Sequence, residues 1–266
     1  PILDHGLRTV LLDKGRVAGG RLSTRRIGLG RADHGAQFFT ARDPRFAKVV
    51  ERWHSDNLVF RWSNGWSDGS LINTSANDGH ARYAVHGGMN NLAQSLAAQL
   101  MRRGVRVETN VQATAAAPNG NGWQVQDDSG RIRRSRSLVL TAPVPQSLAL
   151  LSAAGVALAA EQRAALEAVA YAPCLCALCW AEGTVWLPAP GAVQRPQADI
   201  SWIADNQRKG ISPYAPVFTL HASPAWSAAH FDDPDEALLD TFCAALSQWT
   251  ATGNLPSREV QIKRWR

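Results

Sequence analysis

A short apolar run, TVLL from Thr9, ends in an acid, Asp13, and Gly19-Gly20-Arg21 follows within one turn's length of chain. Further on comes Asp33-His34-Gly35-Ala36-Gln37-Phe38-Phe39. A carboxylate at the end of a strand can accept hydrogen bonds from a ribose diol. Paired glycines let backbone N–H groups approach a pyrophosphate, and an arginine offsets its charge. The order of these parts constrains the chain to an α/β sheet built around a dinucleotide. The Gly-rich strand–turn–helix that should stand about 20 residues before such an acid is not found in residues 1–12.

The segments DKGRVAGGR and ADHGAQFFT, with YAVHGGMNNLAQSLA from Tyr83, LVLTAPVPQ from Leu138, WIADNQRKG from Trp202, HASPAWS from His221 and the final KRWR, resemble the renalase-like branch of the FAD-dependent amine oxidase superfamily. The resemblance runs over nearly the whole chain. It implies a glutathione-reductase-like FAD-binding domain with an interleaved α+β substrate domain. It implies FAD as cofactor, misreduced dihydro isomers of NAD(P)H as small-molecule substrates, and O2 as the electron acceptor. The family's opening glycine motif and its closing strand and helix have no match here. The chain is therefore expected to be truncated at both ends, to lack the first βα unit, and to hold no stoichiometric FAD by itself. An FAD-dependent amine oxidase is the alternative reading, and an inactive fragment or non-enzymatic binding module is a second alternative.

The resemblance places Asp13 at the ribose and Gly19, Gly20 and Arg21 at the pyrophosphate, with Arg16 nearby. Gln37 and Phe38 fall beside the flavin, with Phe39 as a further apolar wall. The backbone at Val111 falls beside the adenine, and Ala142 and Pro143 at a strand end where ligands of open α/β sheets bind. Hydride transfer leaves the hard chemistry to the cofactor, so no catalytic acid or base is assigned. Trp202, Asn206 and Trp226 are the expected walls of a substrate pocket. His86 and His221 are possible proton-handling groups, although a lone histidine more often serves structure.

At 266 residues, 45% hydrophobic and 19% charged, the chain can bury a sizeable core. The formal charge of +6 is spread out. Its densest group, Arg131, Arg133, Arg134 and Arg136, suits the solvated side of a hairpin, and no nucleic-acid partner is expected. No apolar run approaches the roughly 18 residues of a membrane span. Cys174, Cys176 and Cys179 sit in an apolar, strand-like run and lack the paired spacing of a zinc site, so no metal is expected. The absence of a disulfide framework favours a reducing, cytoplasmic setting.

Periodicity predicts strands at 7–12, around Val105–Val111, near Trp123 and Ile132, and a buried one at Leu138–Leu140. It predicts helices at 89–103, with Leu92, Leu96 and Leu100 as the packed stripe, over the Ala-rich 153–170, and from Asp235 to Thr250. Further strands are expected at Cys174–Trp180, Ile200–Ala204 and Val217–Ala222. The expected division is a cofactor domain of 1–40 and 86–145 and a substrate domain of 41–85 and 146–266.

Overall fold

The computed structural model describes residues 6–70, 79–253 and 256–266. The chain forms two compact units, Pro1–Ala18 with Leu96–Tyr171, and Gly19–Ser95 with Ala172–Arg266. These boundaries differ from the expected division: residues 19–40 and 86–95 belong with the large C-terminal sheet, and 146–171 with the other unit.

In the first unit, β1 (Val10–Leu12) pairs in parallel with β6 (Arg106–Glu108), Leu11 facing Val107. Helix α2 (Asn90–Arg102), which belongs to this unit from Leu96 onward, leads into β6 and ends at Gly104, whose φ of +83° is the left-handed conformation of a helix stop. An antiparallel sheet follows, β7 (Ala113–Asn119), β8 (Gly122–Asp127) and β9 (Ile132–Ser135). Helix α3 (Val144–Ala153) lies against β7, and α4 (Ala160–Glu167) packs on α3. Gly155 separates the two helices with a φ of +66°, so the Ala-rich stretch is not one helix.

Two expectations fail in this unit. Leu138–Leu140 is not a buried strand: it belongs to no described strand, and Val139 is 73% exposed. Among the described residues β1 and β6 pair only with each other, so no ladder partner draws these residues in. The basic cluster is not wholly solvated either. Strand alternation turns Arg133 inward, where it bonds Glu108 at 2.5 Å and Asp127 at 2.6 Å. These bonds hold both carboxyls below the usual carboxylate range.

The second unit is built on a five-stranded antiparallel sheet in the order β11 (Ala192–Gln194), β12 (Ile200–Asp205), β13 (Val217–Ala222), β10 (Cys174–Ala181), β14 (Ser257–Trp265). One face, with Leu175, Cys179, Ile203, Phe218 and Leu220, packs against Leu238, Phe242 and Leu246 of α6 (Asp235–Ser247). The short α5 (Pro224–Ala229) is capped by the Ser223 hydroxyl, which accepts the N–H of Trp226. The other face, with Cys176, Leu178 and Val217, receives the hairpin of β2 (Thr24–Ile27) and β3 (Gly30–Asp33). A second hairpin, β4 (Val59–Ser63) with β5 (Arg82–Val85), follows α1 (Pro44–Ser55). No described helix is long and apolar enough to cross a membrane.

Cys174 and Cys176, two residues apart on β10, share a side, while Cys179 lies in the other core, so the three do not converge. Burial pushes the thiols of Cys174 and Cys179 up to about 11 and that of Cys176 higher still, which keeps them protonated and unreactive.

Candidate active site

The loop that joins β3 to α1 carries His34 to Thr40 and runs under the second face of the large sheet. It is held by a buried network around Asp33. Asp33 Oδ1 accepts the Thr24 hydroxyl at 2.5 Å and the N–H of Met89 at 2.8 Å, which satisfies a donor at the start of α2. Asp33 Oδ2 accepts Lys209 Nζ at 2.7 Å, with both side chains fully buried. Lys209 Nζ also donates to the Gln37 carbonyl at 2.6 Å and sits 4.5 Å from the Trp62 ring centroid. Burial lowers the lysine pKa against the opposing pull of Asp33.

The turn after β12 delivers Lys209 to this place. Asp205 Oδ1 accepts the N–H groups of Gln207 and Arg208, and the Lys209 N–H donates to the Asp205 carbonyl. Asn206 donates to the Val217 carbonyl and to Thr219 Oγ1 and accepts the N–H of Asp33. Thr219 Oγ1 in turn donates to the Asp33 carbonyl at 2.8 Å.

Gln37 is buried, and its Nε2 donates to the Asp33 carbonyl at 2.7 Å and the Gly35 carbonyl at 3.1 Å. Its Oε1 has no partner. The same is true of His34 Nδ1, Trp66 Nε1, Trp202 Nε1 and His221 Nε2, all buried and without a hydrogen bond among the described residues. Several of these side chains lie close together. Phe38 lies 5.2 Å from Trp66 and 5.8 Å from Trp202, and Trp66 lies 4.9 Å from Trp202, centroid to centroid. Trp202 and His221 are cross-strand partners on β12 and β13, and Cys176 is the partner of His221 on β10. His34 stacks on Trp265 at 5.2 Å, and Trp265 Nε1 donates to the His34 carbonyl. Burial lowers both imidazoles to about 4, so they are neutral at ordinary pH.

Gly19 and Gly20 occupy a turn at φ +148° and +49°, closed by the Leu22 N–H on the Gly19 carbonyl. Neither glycine N–H has an acceptor among the described residues. Arg21 is exposed, and its guanidinium donates to the Arg266 carbonyl at 3.2 Å. The Arg21–Ser23 and His34–Ala36 segments cross closely: Ala36 N–H bonds the Arg21 carbonyl at 2.9 Å, and a Cβ on Gly35 would stand 2.1 Å from that oxygen.

In the first unit, Asp13 Oδ1 accepts the N–H of Gly15 at 2.7 Å, and its backbone pairs on both sides, N–H to the Glu108 carbonyl and carbonyl to the Val111 N–H at 3.0 Å. Asp13 and Val111 are thus adjacent, but the Val111 N–H is committed and only its carbonyl remains for a ligand. Arg16 and Ala142 are exposed, and Pro143 precedes the first residue of α3.

Several expected residues stand elsewhere. Trp226 packs on the α6 side of the sheet, 5.7 Å from Phe242, apart from Trp202. Asn206 is no pocket wall, because its amide is consumed in the network behind Asp33. Phe39 joins Tyr83, Phe46 and Trp53 in a separate aromatic group. His86 is exposed beside Phe60. Lys209 and Trp66 are not expected from the sequence as site residues, and Asp33 and His34 are expected only as part of the Asp33–Phe39 run. Lys209 closes the polar run Asp205-Asn206-Gln207-Arg208, which in a single sequence reads as a surface turn.

A family model for flavin containing amine oxidoreductases matches residues 54–266. The fold is similar to that of a putative protoporphyrinogen oxidase from Exiguobacterium sp. 255-15, at 12% identity and TM-score 0.69 over 97% of this chain and 80% of that one. It is similar to a putrescine oxidase solved with putrescine, at 13% identity and TM-score 0.69 over 98% and 80%. It is also similar to an oxidoreductase from Methanosarcina mazei, at 10% identity and TM-score 0.64 over 97% and 83%. The chain belongs to the flavin-containing amine oxidoreductase family, and its cofactor is FAD.

Proposed function

We propose that the protein oxidises a small amine at the carbon next to nitrogen, with O2 as the final acceptor. The observation that carries this reading is the set of Gln37 Oε1, His34 Nδ1, Trp66 Nε1, Trp202 Nε1 and His221 Nε2, each buried without a partner among the described residues, whereas the similarly orphaned Trp249 Nε1 packs with the α6-side core. A buried polar atom without a partner costs about 1–3 kcal/mol, and a concentration of them marks a place where a ligand completes the bonding. The donor set fits a flavin: Gln37 Oε1 can accept a ring N–H, and the indole N–H groups of Trp66 and Trp202 can donate to ring or substrate oxygens. The free N–H groups of Gly19 and Gly20, with Arg21, suit a pyrophosphate. Asp13, whose Oδ2 has no partner among the described residues, suits a ribose diol. Arg16, the Val111 carbonyl, Ala142 and Pro143 remain candidates for the rest of the dinucleotide.

FAD, held by these residues, would supply hydride acceptance from the substrate C–H bond and return of the electron pair to O2. The substrate nitrogen loses a proton, leaving an imine, and O2 gains two electrons and two protons to become hydrogen peroxide. The chain supplies position and dryness. Phe38, Trp66 and Trp202 exclude water, and Gln37 fixes the plane of its partner. His34 and His221 are kept neutral by burial and add no charge to the site.

A second reading takes dihydro isomers of NAD(P)H as substrate. The flat aromatic surface with two unpaired indole N–H groups suits a dihydropyridine carboxamide. Anaerobic stopped-flow mixing separates the two: the amine reading expects putrescine-type or benzylamine-type amines to bleach the protein-bound flavin faster than the dihydro isomers, and the reverse order replaces it with the second reading.

A further inference from the structure

We propose that Lys209 is a positioning residue for the Gln37 amide, a role that rests on the placement of Gln37 beside the flavin. Gln37 is gripped twice. Its main-chain carbonyl accepts Lys209 Nζ at 2.6 Å, and its side-chain Nε2 donates to the carbonyls of Asp33 and Gly35. Only Oε1 is left unbonded, so the two grips together fix where that one acceptor points.

Asp33 does not need the lysine to be satisfied at its other oxygen, which already accepts Thr24 and the Met89 N–H. What Lys209 adds is the tie across 172 residues to Gln37. Packing alone would be met by an apolar side chain, because burying an ammonium and a carboxylate is often no better for stability than replacing both. The face of Trp62 closes over the ammonium at 4.5 Å, so the lysine has no room to swing away. Trp62 also touches Trp66 and Trp202 at 4.7 and 6.0 Å. The amine that holds Gln37 therefore sits directly behind the aromatic surface.

The test uses the flavin-loaded protein. Flavin content of the wild type comes first, and a folded wild type without flavin rejects the cofactor placement on which this rests. Two variants then address Lys209: Lys209→Met combined with Asp33→Asn, which neutralises the pair, and Lys209→Gln, which keeps one donor. Both are expected to fold and bind FAD. The flavin absorption bands shift in both, and the single-turnover reduction rate per bound flavin falls at least about 10-fold, while KM moves less than about threefold. Gln37→Leu is expected to reproduce the spectral shift, and adding it to Lys209→Gln brings no further loss. Unchanged bands and an unchanged reduction rate in the folded variants would overturn the proposal. So would failure of both variants to fold, since that makes the pair a requirement of folding alone.

Discussion

Gly35 stands where two backbone segments cross, and the carbonyl of Arg21 leaves no space for a methyl group at 2.1 Å. The obstacle is main chain, so it cannot rotate aside. Gly35→Ala is expected to cost about 1–3 kcal/mol in chemical denaturation and to weaken FAD retention, because the glycine turn at Gly19 and Gly20 is displaced with Arg21. Normal stability with full flavin content would show that the crossing is unimportant. His221 offers a pH test. Its folded pKa of about 4 lies below the ordinary 6.5 because burial penalises the charged form. The unfolded chain therefore binds more protons between these values, and stability rises with pH across that window. The contribution is fully present above pH 6.5, declines as pH falls, and is gone below about 4, a change on the order of 3 kcal/mol. Urea denaturation of wild type and His221→Gln at several pH values checks this, and equal slopes in the two proteins would contradict it.

Elements with a strong period were legible in the sequence. The apolar run of β10 and the helix α6 after Pro234 appear where expected, and α2 begins one residue after its predicted start. Helix α1 is not among the expected elements, although Asp43-Pro44 is a cap-and-first-turn signal. Asp43 Oδ1 accepts the N–H groups of Arg45 and Phe46, and Asp43→Ala is expected to fray the first turn, seen as faster amide exchange there with β10 unaffected. β14 was not predicted, since QIKRW alternates polar and apolar only in part, and its place is set by pairing with β10 over eight residues. At α6, Phe242 fills the face of the sheet opposite Cys176 and Val217. Phe242→Ala is expected to cost about 3–5 kcal/mol and to leave the flavin reduction rate unchanged; a slowed rate would mean that the two faces are coupled.

Across the whole molecule, the family and the α/β class were readable because the Gly-Gly-Arg turn and the loop through Gln37 are local. The network behind them was not. Asp33 and Lys209 meet across 176 residues, and nothing in either neighbourhood announces the other. Pairing of distant strands also decided which tryptophans share a surface: Trp202 joins Trp66 through β12, while Trp226 follows α5 to the other side. Leu138–Leu140 was misread because an apolar triplet says nothing about whether a neighbouring strand is there to pair with it.

The central claim, a flavin site completed by the orphaned atoms of Gln37, Trp66 and Trp202, stands against the expectation from the sequence that the chain by itself holds no stoichiometric FAD, and is tested most directly by the visible spectrum of the purified protein, recorded before and after anaerobic addition of an amine. The account predicts bound-flavin absorption that bleaches with the amine and returns on admitting O2, with hydrogen peroxide formed. A folded protein that carries no flavin and takes up none when FAD is supplied would contradict it.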